Sequence, residues 1–197
     1  MSSNILKADN GVSSGTTGLV YTAGNDGTLQ LATTTSGGSA VTALTINNSQ
    51  IVTFANQLTA ASMPTGSVIQ VVQSDYNTMT SSVAGSFVST GLTASITPQF
   101  STSKILVFAS VPAGAQASST SLILGLKRGS TNLYAGGFGF AQLYTGSSTN
   151  TYAAQPIMYL DSPSTTSSTT YTVTFSTTNG TVFPNNADGT ITLMEIR

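Results

Sequence analysis

Side chains that could carry out acid–base or metal chemistry are few and scattered along this 197-residue chain. There is no histidine and no cysteine, so the commonest general base and every thiol nucleophile are absent. The six carboxylates are distant in sequence: Asp9, Asp26, Asp75, Asp161, Asp188 and Glu195. A catalytic acid and base would have to be brought together by the fold alone. We therefore predict a protein that is not an enzyme.

Three short sequence motifs are matched only in part, because other residues that each motif requires are missing. Ser101-Thr102-Ser103-Lys104 fits S-x-x-K, but its companion motifs are missing and a predicted strand follows it. The glycine run 136–139 does not complete G-x-G-x-x-G, because Gln142 stands at the third glycine position. Asn186-Ala187-Asp188-Gly189 lacks the first acid and the closing glutamate of a calcium loop. We predict no cofactor and no metal site.

Aromatic side chains are concentrated in one stretch, which contains Tyr134, Phe138, Phe140, Tyr144, Tyr152 and Tyr159. Two interpretations stay open: a platform that stacks against sugars, or core and subunit interface, where aromatic residues are enriched. Tyr144 and Tyr152 flank the polar loop 145–150. These two tyrosines are therefore the candidates for receptor contact.

The last predicted strand carries two charged residues, Glu195 and Arg197. They lie two positions apart, so they share a face with Ile191 and Leu193. Charges on an otherwise apolar face predict an ion pair near a subunit interface.

The overall charge limits the partners that this chain can have. Only 6% of its residues are charged, against about 25% in an average soluble protein, and the net charge is −1. Five basic residues are too few for a phosphate-binding surface, so we predict no nucleic-acid partner. No apolar run reaches the roughly 18 residues of a membrane span, which predicts no membrane insertion. No apolar core follows Lys7, so we expect no signal peptide and synthesis in the cytoplasm.

The first 62 residues predict an irregular arm followed by short strands at 19–22, 28–31, 41–46 and 50–55. Apolar side chains alternate with small or polar ones, which is the pattern of half-buried strands. The strand segment 19–58 is short enough that it buries too little surface to fold alone without disulfides, metals or oligomerisation. We predict that copies of the chain wrap around a common axis and share one core formed by Leu29, Leu31, Leu44, Ile46 and Phe54.

The run Met63-Pro64-Thr65-Gly66 marks a predicted boundary between residues 1–62 and 63–197. Beyond it, strand signals recur at short intervals, including separate strands at 86–89 and 92–97 and a strand at 170–176. No stretch has a helical period. Many short strands separated by turns predict a β-sandwich or a β-barrel. Because charges that protect sheet edges are scarce, we expect neighbouring subunits to cover those edges.

The ordered set of motifs resembles short fibre and adhesin proteins of tailed bacteriophages, especially marine and cyanobacterial phages. The residues that carry the resemblance are Gly27-Thr28-Leu29-Gln30-Leu31, Ala43-Leu44-Thr45-Ile46-Asn47, Val52-Thr53-Phe54, the run 63–70, and the closing runs 162–164, 170–175, 179–182 and 191–196. The resemblance implies an all-β homotrimer with a short β-rich N-terminal stalk and a jelly-roll-like antiparallel β-sandwich head.

The function implied is that of a virion structural protein at the virion surface. Residues 1–62 would dock onto other virion proteins, and the head would present loops to a glycan or protein of the host surface. The chain is short for a tail fibre, so a capsid decoration or head fibre protein is an open alternative. A polysaccharide depolymerase is a further alternative and would need a pair of carboxylates in a groove.

Overall fold

The chain divides into two compact units, residues 1–62 and 63–197, with the boundary at Met63. The structure is a computed structural model that describes residues 20–23, 28–33, 39, 41–55, 59–78, 82–83, 85–116, 118–134, 139–146, 150–184 and 187–197. Within these ranges the regular structure is β-strand, apart from one 3₁₀ turn at Ala60–Ser62. The predicted all-β class is confirmed.

The N-terminal unit contains one antiparallel sheet in which each strand pairs with the next along the chain. Its strands are β1 (Val20–Ala23), β2 (Leu29–Thr33), β3 (Val41–Ile46) and β4 (Val52–Phe54). The turn between β3 and β4 is fixed by Asn47, whose Oδ1 accepts hydrogen bonds from the backbone N–H groups of Ser49 and Ile51 at 3.0 and 2.9 Å. Asparagine forms such turns because its short side chain reaches its own backbone.

The second unit, which we call the head, contains eleven further strands in the described ranges. They are β5 (Val68–Tyr76), β6 (Ser82–Val83), β7 (Val88–Ile96), β8 (Lys104–Ala115), β9 (Thr120–Arg128), β10 (Thr131–Asn132), β11 (Ala141–Thr145), β12 (Thr151–Asp161), β13 (Thr169–Thr177), β14 (Thr181–Pro184) and β15 (Gly189–Ile196).

Eight of these strands form two four-stranded antiparallel sheets. Sheet A has the order β5-β15-β8-β12, and sheet B has the order β7-β13-β9-β11. When the eight strands are counted along the chain, the orders are 1-8-3-6 and 2-7-4-5. This is the strand order of a jelly roll, in which two Greek keys bury one core between two sheets. The short strands β6 and β14 extend sheet A, and β10 extends sheet B.

The core lies between the sheets and follows the period of two that was expected. Leu92, Ala94 and Ile96 of β7 are buried, as are Tyr171 and Phe175 of β13. Residues between them on β7 are exposed. Strand β9 is buried on both of its sides over residues 120–126. The other large, fully buried apolar side chains come from alternate positions of β8, β9 and β15: Ile105, Val107, Leu122, Leu124, Leu126, Ile191 and Leu193.

The two strands expected at 86–89 and 92–97 are one strand, β7, that continues through Gly91. Gly91 has φ +88°, and the pairing with β13 shifts register opposite this point, between Thr172 and Thr174. A Cβ at residue 91 would lie 2.5 Å from ring atoms of Tyr76. The glycine therefore allows a β-bulge and close packing where the sequence indicated a break.

Candidate assembly surfaces

The N-terminal sheet places the five predicted core residues on one face. Register puts Leu29 opposite Ile46, and Leu31 opposite Leu44, which in turn is opposite Phe54. The other face of these strands carries polar residues, such as Gln30, Thr45 and Thr53. The apolar face of this unit, defined by these two rows with Val52, is the surface that the sequence assigned to a trimer core.

This apolar face is incompletely buried within the unit. Phe54 and Val52 are each 48% exposed. Ala32 is the only buried apolar side chain among those the structure describes in residues 1–62. The four strands form one sheet, and a single sheet needs a second layer to bury its apolar side. The geometry therefore fits a shared core, while the trimer itself stays a prediction.

A second apolar surface lies on the head, on the side of sheet A that faces away from the core. One row crosses all four strands from Val71 through Met194 and Leu106 to Leu160. The next row is Gln73, Thr192, Phe108 and Met158. We call these two rows the outer face of sheet A. Met158 is 67% exposed, Val71 54%, Leu160 47% and Phe108 38%.

The sequence contains a signal for this surface, in two continuously apolar runs. Residues 105–109 of β8 and 157–160 of β12 are continuously apolar. Such runs are typical of strands that are covered on both faces, whereas a strand with one wet face alternates. A groove of about 520 Å³ lies on the same side of sheet A, lined in part by Phe108, Pro156 and Met158.

The two candidate receptor tyrosines are exposed, at 56% for Tyr144 and 55% for Tyr152. Tyr144 lies on β11 between buried Leu143 and Thr145, so it projects from the outer side of sheet B. Tyr152 lies on β12 opposite Gly114 and projects from the outer side of sheet A. The structure therefore does not bring them together into one platform.

Other aromatic residues of the predicted cluster pack against one another. The rings of Tyr134 and Phe140 have centroids 6.5 Å apart, and those of Phe140 and Tyr159 are 5.2 Å apart, both edge to face. Phe87 extends the series, at 4.5 Å from Tyr134. Burial raises the pKa of Tyr134. These ring contacts are therefore packing contacts between half-buried side chains. Phe138 lies outside the described residues.

Glu195 lies inside the head, which differs from the interface position expected for it. It has no exposed surface. Its Oε1 accepts hydrogen bonds from the backbone N–H groups of Gln99 at 2.7 Å and Phe100 at 3.4 Å, and its Oε2 accepts one from the Gln70 amide. The strand alternation that buries Ile191 and Leu193 buries this carboxylate too, because all three share the core side of β15.

Arg197, the predicted partner of Glu195, makes contacts within the same chain. Its guanidinium donates to the carbonyl of Met63 and lies 5.0 Å from the centroid of the Phe100 ring. The backbone N–H of Arg197 also donates to Ser67 at 3.0 Å. These contacts tie the last described residue to the start of the head, and an ion pair across an interface stays a prediction.

A second buried carboxylate, Asp161, joins the two sheets. It lies at the end of β12 in sheet A, and both of its oxygens accept from Arg128 Nη1 of β9, at 2.8 and 2.7 Å. The hydroxyl of Tyr171, on β13, donates to Asp161 at 2.7 Å. Burial, and then this hydrogen bond, raise the pKa of Tyr171 well above its usual range.

The remaining carboxylates and motif residues form no cluster in the described part of the chain. No group of three or more acidic residues that could hold a metal ion occurs there. Asp161 and Glu195 are each engaged in separate networks, and Asp75 and Asp188 are exposed. Asp9 and Asp26, the glycines at 136–137 and Asn186 lie outside the described residues. Within the described residues there is no helix that is long and apolar enough to cross a membrane.

Comparison with known proteins shows no family for this chain. No protein-family model and no curated protein sequence matches this chain. Among solved structures, the chain is similar to one from the structure of infectious bursal disease virus, Gx strain, with a TM-score of 0.35 and 9% sequence identity. The match covers 75% of this chain and 40% of that chain, so this chain spans less than half of its length. A likeness at this level carries no argument about function.

Proposed function

We propose that this protein is a structural component of a bacteriophage virion: a short homotrimeric surface fibre that serves host attachment. In this proposal residues 1–62 assemble the trimer and dock onto other virion proteins. The jelly-roll head presents its loops to a glycan or protein of the host. The protein acts by shape and assembly, without catalysis or a cofactor.

The observation that carries the proposal is the apolar face of the N-terminal sheet, which is incompletely buried among the described residues. This face contains Leu29, Leu31, Leu44, Ile46 and Phe54. Ala32 is the only buried apolar side chain that the structure describes in residues 1–62. Copies of the same sheet around a common axis would cover the exposed apolar side chains, because each contributes the same apolar surface. The motifs in the runs 27–31 and 43–47 support the choice of a phage fibre.

The first test measures the mass of the intact chain in solution by light scattering after gel filtration, at low micromolar concentration. The expected mass is three times 20.0 kDa. The second test locates the protein on phage particles by antibody labelling, which is expected at the surface. A compact, fully ordered monomer would contradict the assembly on which the proposal rests.

A capsid decoration protein is the second candidate, because the apolar face of the N-terminal unit would assemble such a protein equally well. Such a protein would use the same trimer to clamp capsid subunits. Particles that lack the protein separate the two roles. Lost adsorption with normal capsid stability is expected for a fibre, and capsids that burst while adsorbing normally would indicate decoration.

A depolymerase would need two carboxylates facing each other across a groove. In the described residues, the buried acids Asp161 and Glu195 are each saturated by separate hydrogen-bond partners. Release of reducing sugar from host polysaccharide by the purified chain would overturn the non-enzymatic proposal.

A further inference from the structure

We propose that the outer face of sheet A is a self-association surface, through which the heads of neighbouring copies pack against one another. The inference rests on the homotrimer of the proposed function and names a second contact surface in it. It concerns residues that the sequence did not assign to any role: Val71, Leu106, Phe108, Met158 and Leu160.

The first argument is the character of the surface. Its two rows cross all four strands and contain no charged residue. Four of the large side chains in these rows are 38–67% exposed. Contiguous apolar patches of more than a few hundred Å² are rare on soluble monomers and mark interaction sites. A free face of this kind is therefore out of place on an isolated head.

The second argument concerns the polar groups that the surface contains. Thr192 and Gln73 are neighbours within one row, and the Thr192 hydroxyl donates to Gln73 Oε1 at 3.2 Å. Burial of a polar group is costly unless it keeps a hydrogen bond. Because these two groups already pair with each other, the row can enter a dry interface at a reduced cost.

The third argument identifies the occupant as another copy of this chain. The surface offers no charge to recognise a charged partner, and Asp75 and Lys104 lie outside its two rows. Copies of the same face match in polarity and do not repel one another. Four strands about 4.8 Å apart, over five residues of about 3.4 Å each, make a flat face of roughly 19 by 17 Å. That is about 320 Å², less than half of the roughly 800 Å² that each partner contributes to a stable interface, so the face adds a second contact to the one proposed for residues 1–62 and does not hold the copies together alone.

The edge strand of this sheet supports the same occupant. β12 has eleven residues, and its sole charged residue, Asp161, is buried at the end of the strand. Natural proteins protect such edges with charges, with proline or by covering them, and β12 has only Pro156 as an exposed protecting residue along its length. Packing between heads at the outer face of sheet A would bring a neighbouring chain beside this edge.

The test uses the full-length chain, which contains no cysteine and so accepts a single thiol label. In the variant Met158→Cys, a benzophenone photo-crosslinker is attached to the new cysteine, which lies on the outer face of sheet A. The matched control is Ser95→Cys, because Ser95 is also exposed on an edge strand but projects from sheet B. Unchanged melting temperatures establish that both labelled chains fold.

Illumination of the label at position 158 is expected to join two chains at least tenfold more efficiently than the label at position 95. Peptide mapping is expected to place the new bond within β5, β8, β12 or β15 of the second chain. An interchain yield no higher than the control, or bonds to residues 1–62 or sheet B, would overturn the inference. A trimeric mass with no interchain product from position 158 refutes this inference alone, whereas a monomeric mass refutes the proposed function as well.

Discussion

Replacing Glu195 with glutamine should destabilise the head, although the change removes a buried charge and preserves the side-chain shape. The carboxylate accepts from two backbone N–H groups, those of Gln99 and Phe100, and from the Gln70 amide. The same Gln70 nitrogen donates to the carbonyl of Thr97 at 2.7 Å. The site is therefore built from donors that all point at one acceptor.

Glutamine cannot satisfy this site in either orientation. If its oxygen faces Gln99, its amide nitrogen meets the amide nitrogen of Gln70, and donor faces donor. If Gln70 turns to present its oxygen, its bond to Thr97 is lost. If the new glutamine turns instead, its nitrogen faces the backbone N–H of Gln99. Each arrangement leaves at least one donor or acceptor without its hydrogen-bond partner, which costs about 1–3 kcal/mol where that group is buried.

The assay is thermal unfolding of the full-length chain, followed by calorimetry on the transition of the head. Each kcal/mol shifts the melting temperature of a domain of this size by about 3 °C, so Glu195→Gln is expected to lower it by roughly 3–9 °C. Asp75→Asn is the matched control, because it removes an exposed negative charge from the same sheet and is expected to change stability by less than about 0.5 kcal/mol. Equal shifts for both variants would refute the hydrogen-bond argument and indicate an effect of net charge.

Three further predictions address the buried tyrosine, the N-terminal sheet and a tight turn. Because its pKa is raised in the fold, Tyr171 stays protonated above pH 10 while its unfolded form ionises, so its contribution to stability is retained below about pH 10 and falls by up to about 1.4 kcal/mol per pH unit above it. In alkaline denaturant titrations Tyr171→Phe should make the slope shallower by that amount, while the slope from the raised pKa of Tyr134 remains, and an unchanged slope would contradict this. Leu44→Asp should lower the mass of the assembly in light scattering, whereas Thr45→Asp, on the polar face, should not. Gly139→Ala should cost more than about 2 kcal/mol in denaturant unfolding, because φ is +56° and the new Cβ would lie 2.1 Å from the carbonyl oxygen of Leu124; a stable variant would show that this turn can shift.

The all-β class and the facing of individual strands could be predicted because one side of each strand is buried. Leu92, Ala94 and Ile96 alternate with polar residues that face solvent, and this period of two is a local property of the sequence. The jelly-roll order could not be predicted in the same way. It depends on pairings such as β5 with β15, which join residues 68–76 to residues 189–196. Nothing in the local pattern of either strand specifies the other.

The five N-terminal residues lie on one face because each strand of this sheet pairs with the next along the chain, and the period of two within each strand then fixes its faces. The sequence predicted Glu195 at a subunit interface, whereas the structure places it inside the head. This difference has another cause. A charge in an apolar strand indicates that a partner exists, but not which one. Here the described partners are two N–H groups in the turn after β7 and an amide from β5, and these come from segments about 95 and 125 residues away.

The two buried acids suggest how such a repetitive sequence adopts one register. A strand of alternating Thr, Ser and small apolar residues would pair with its neighbours almost equally well after a register shift of two residues. Such a shift keeps every side chain on its face of the sheet. A slip of β12 would remove Asp161 from Arg128 and Tyr171, and a slip of β15 would remove Glu195 from Gln99 and leave a carboxylate buried without its partners. The penalty for breaking a buried charged network is about 3–5 kcal/mol.

Both acids also reach from sheet A to residues of sheet B or its following turn, so each fixes the two sheets against one another as well as the strands within them. In a chain with eleven charged residues in all, six acidic and five basic, two acids are thus placed where they specify alignment. We infer that their main contribution is to select one alignment among several of similar packing. Glu195→Gln should then broaden the amide NMR signals of β15 and β5 at temperatures well below unfolding. Sharp, single signals in that variant would show that packing alone sets the register.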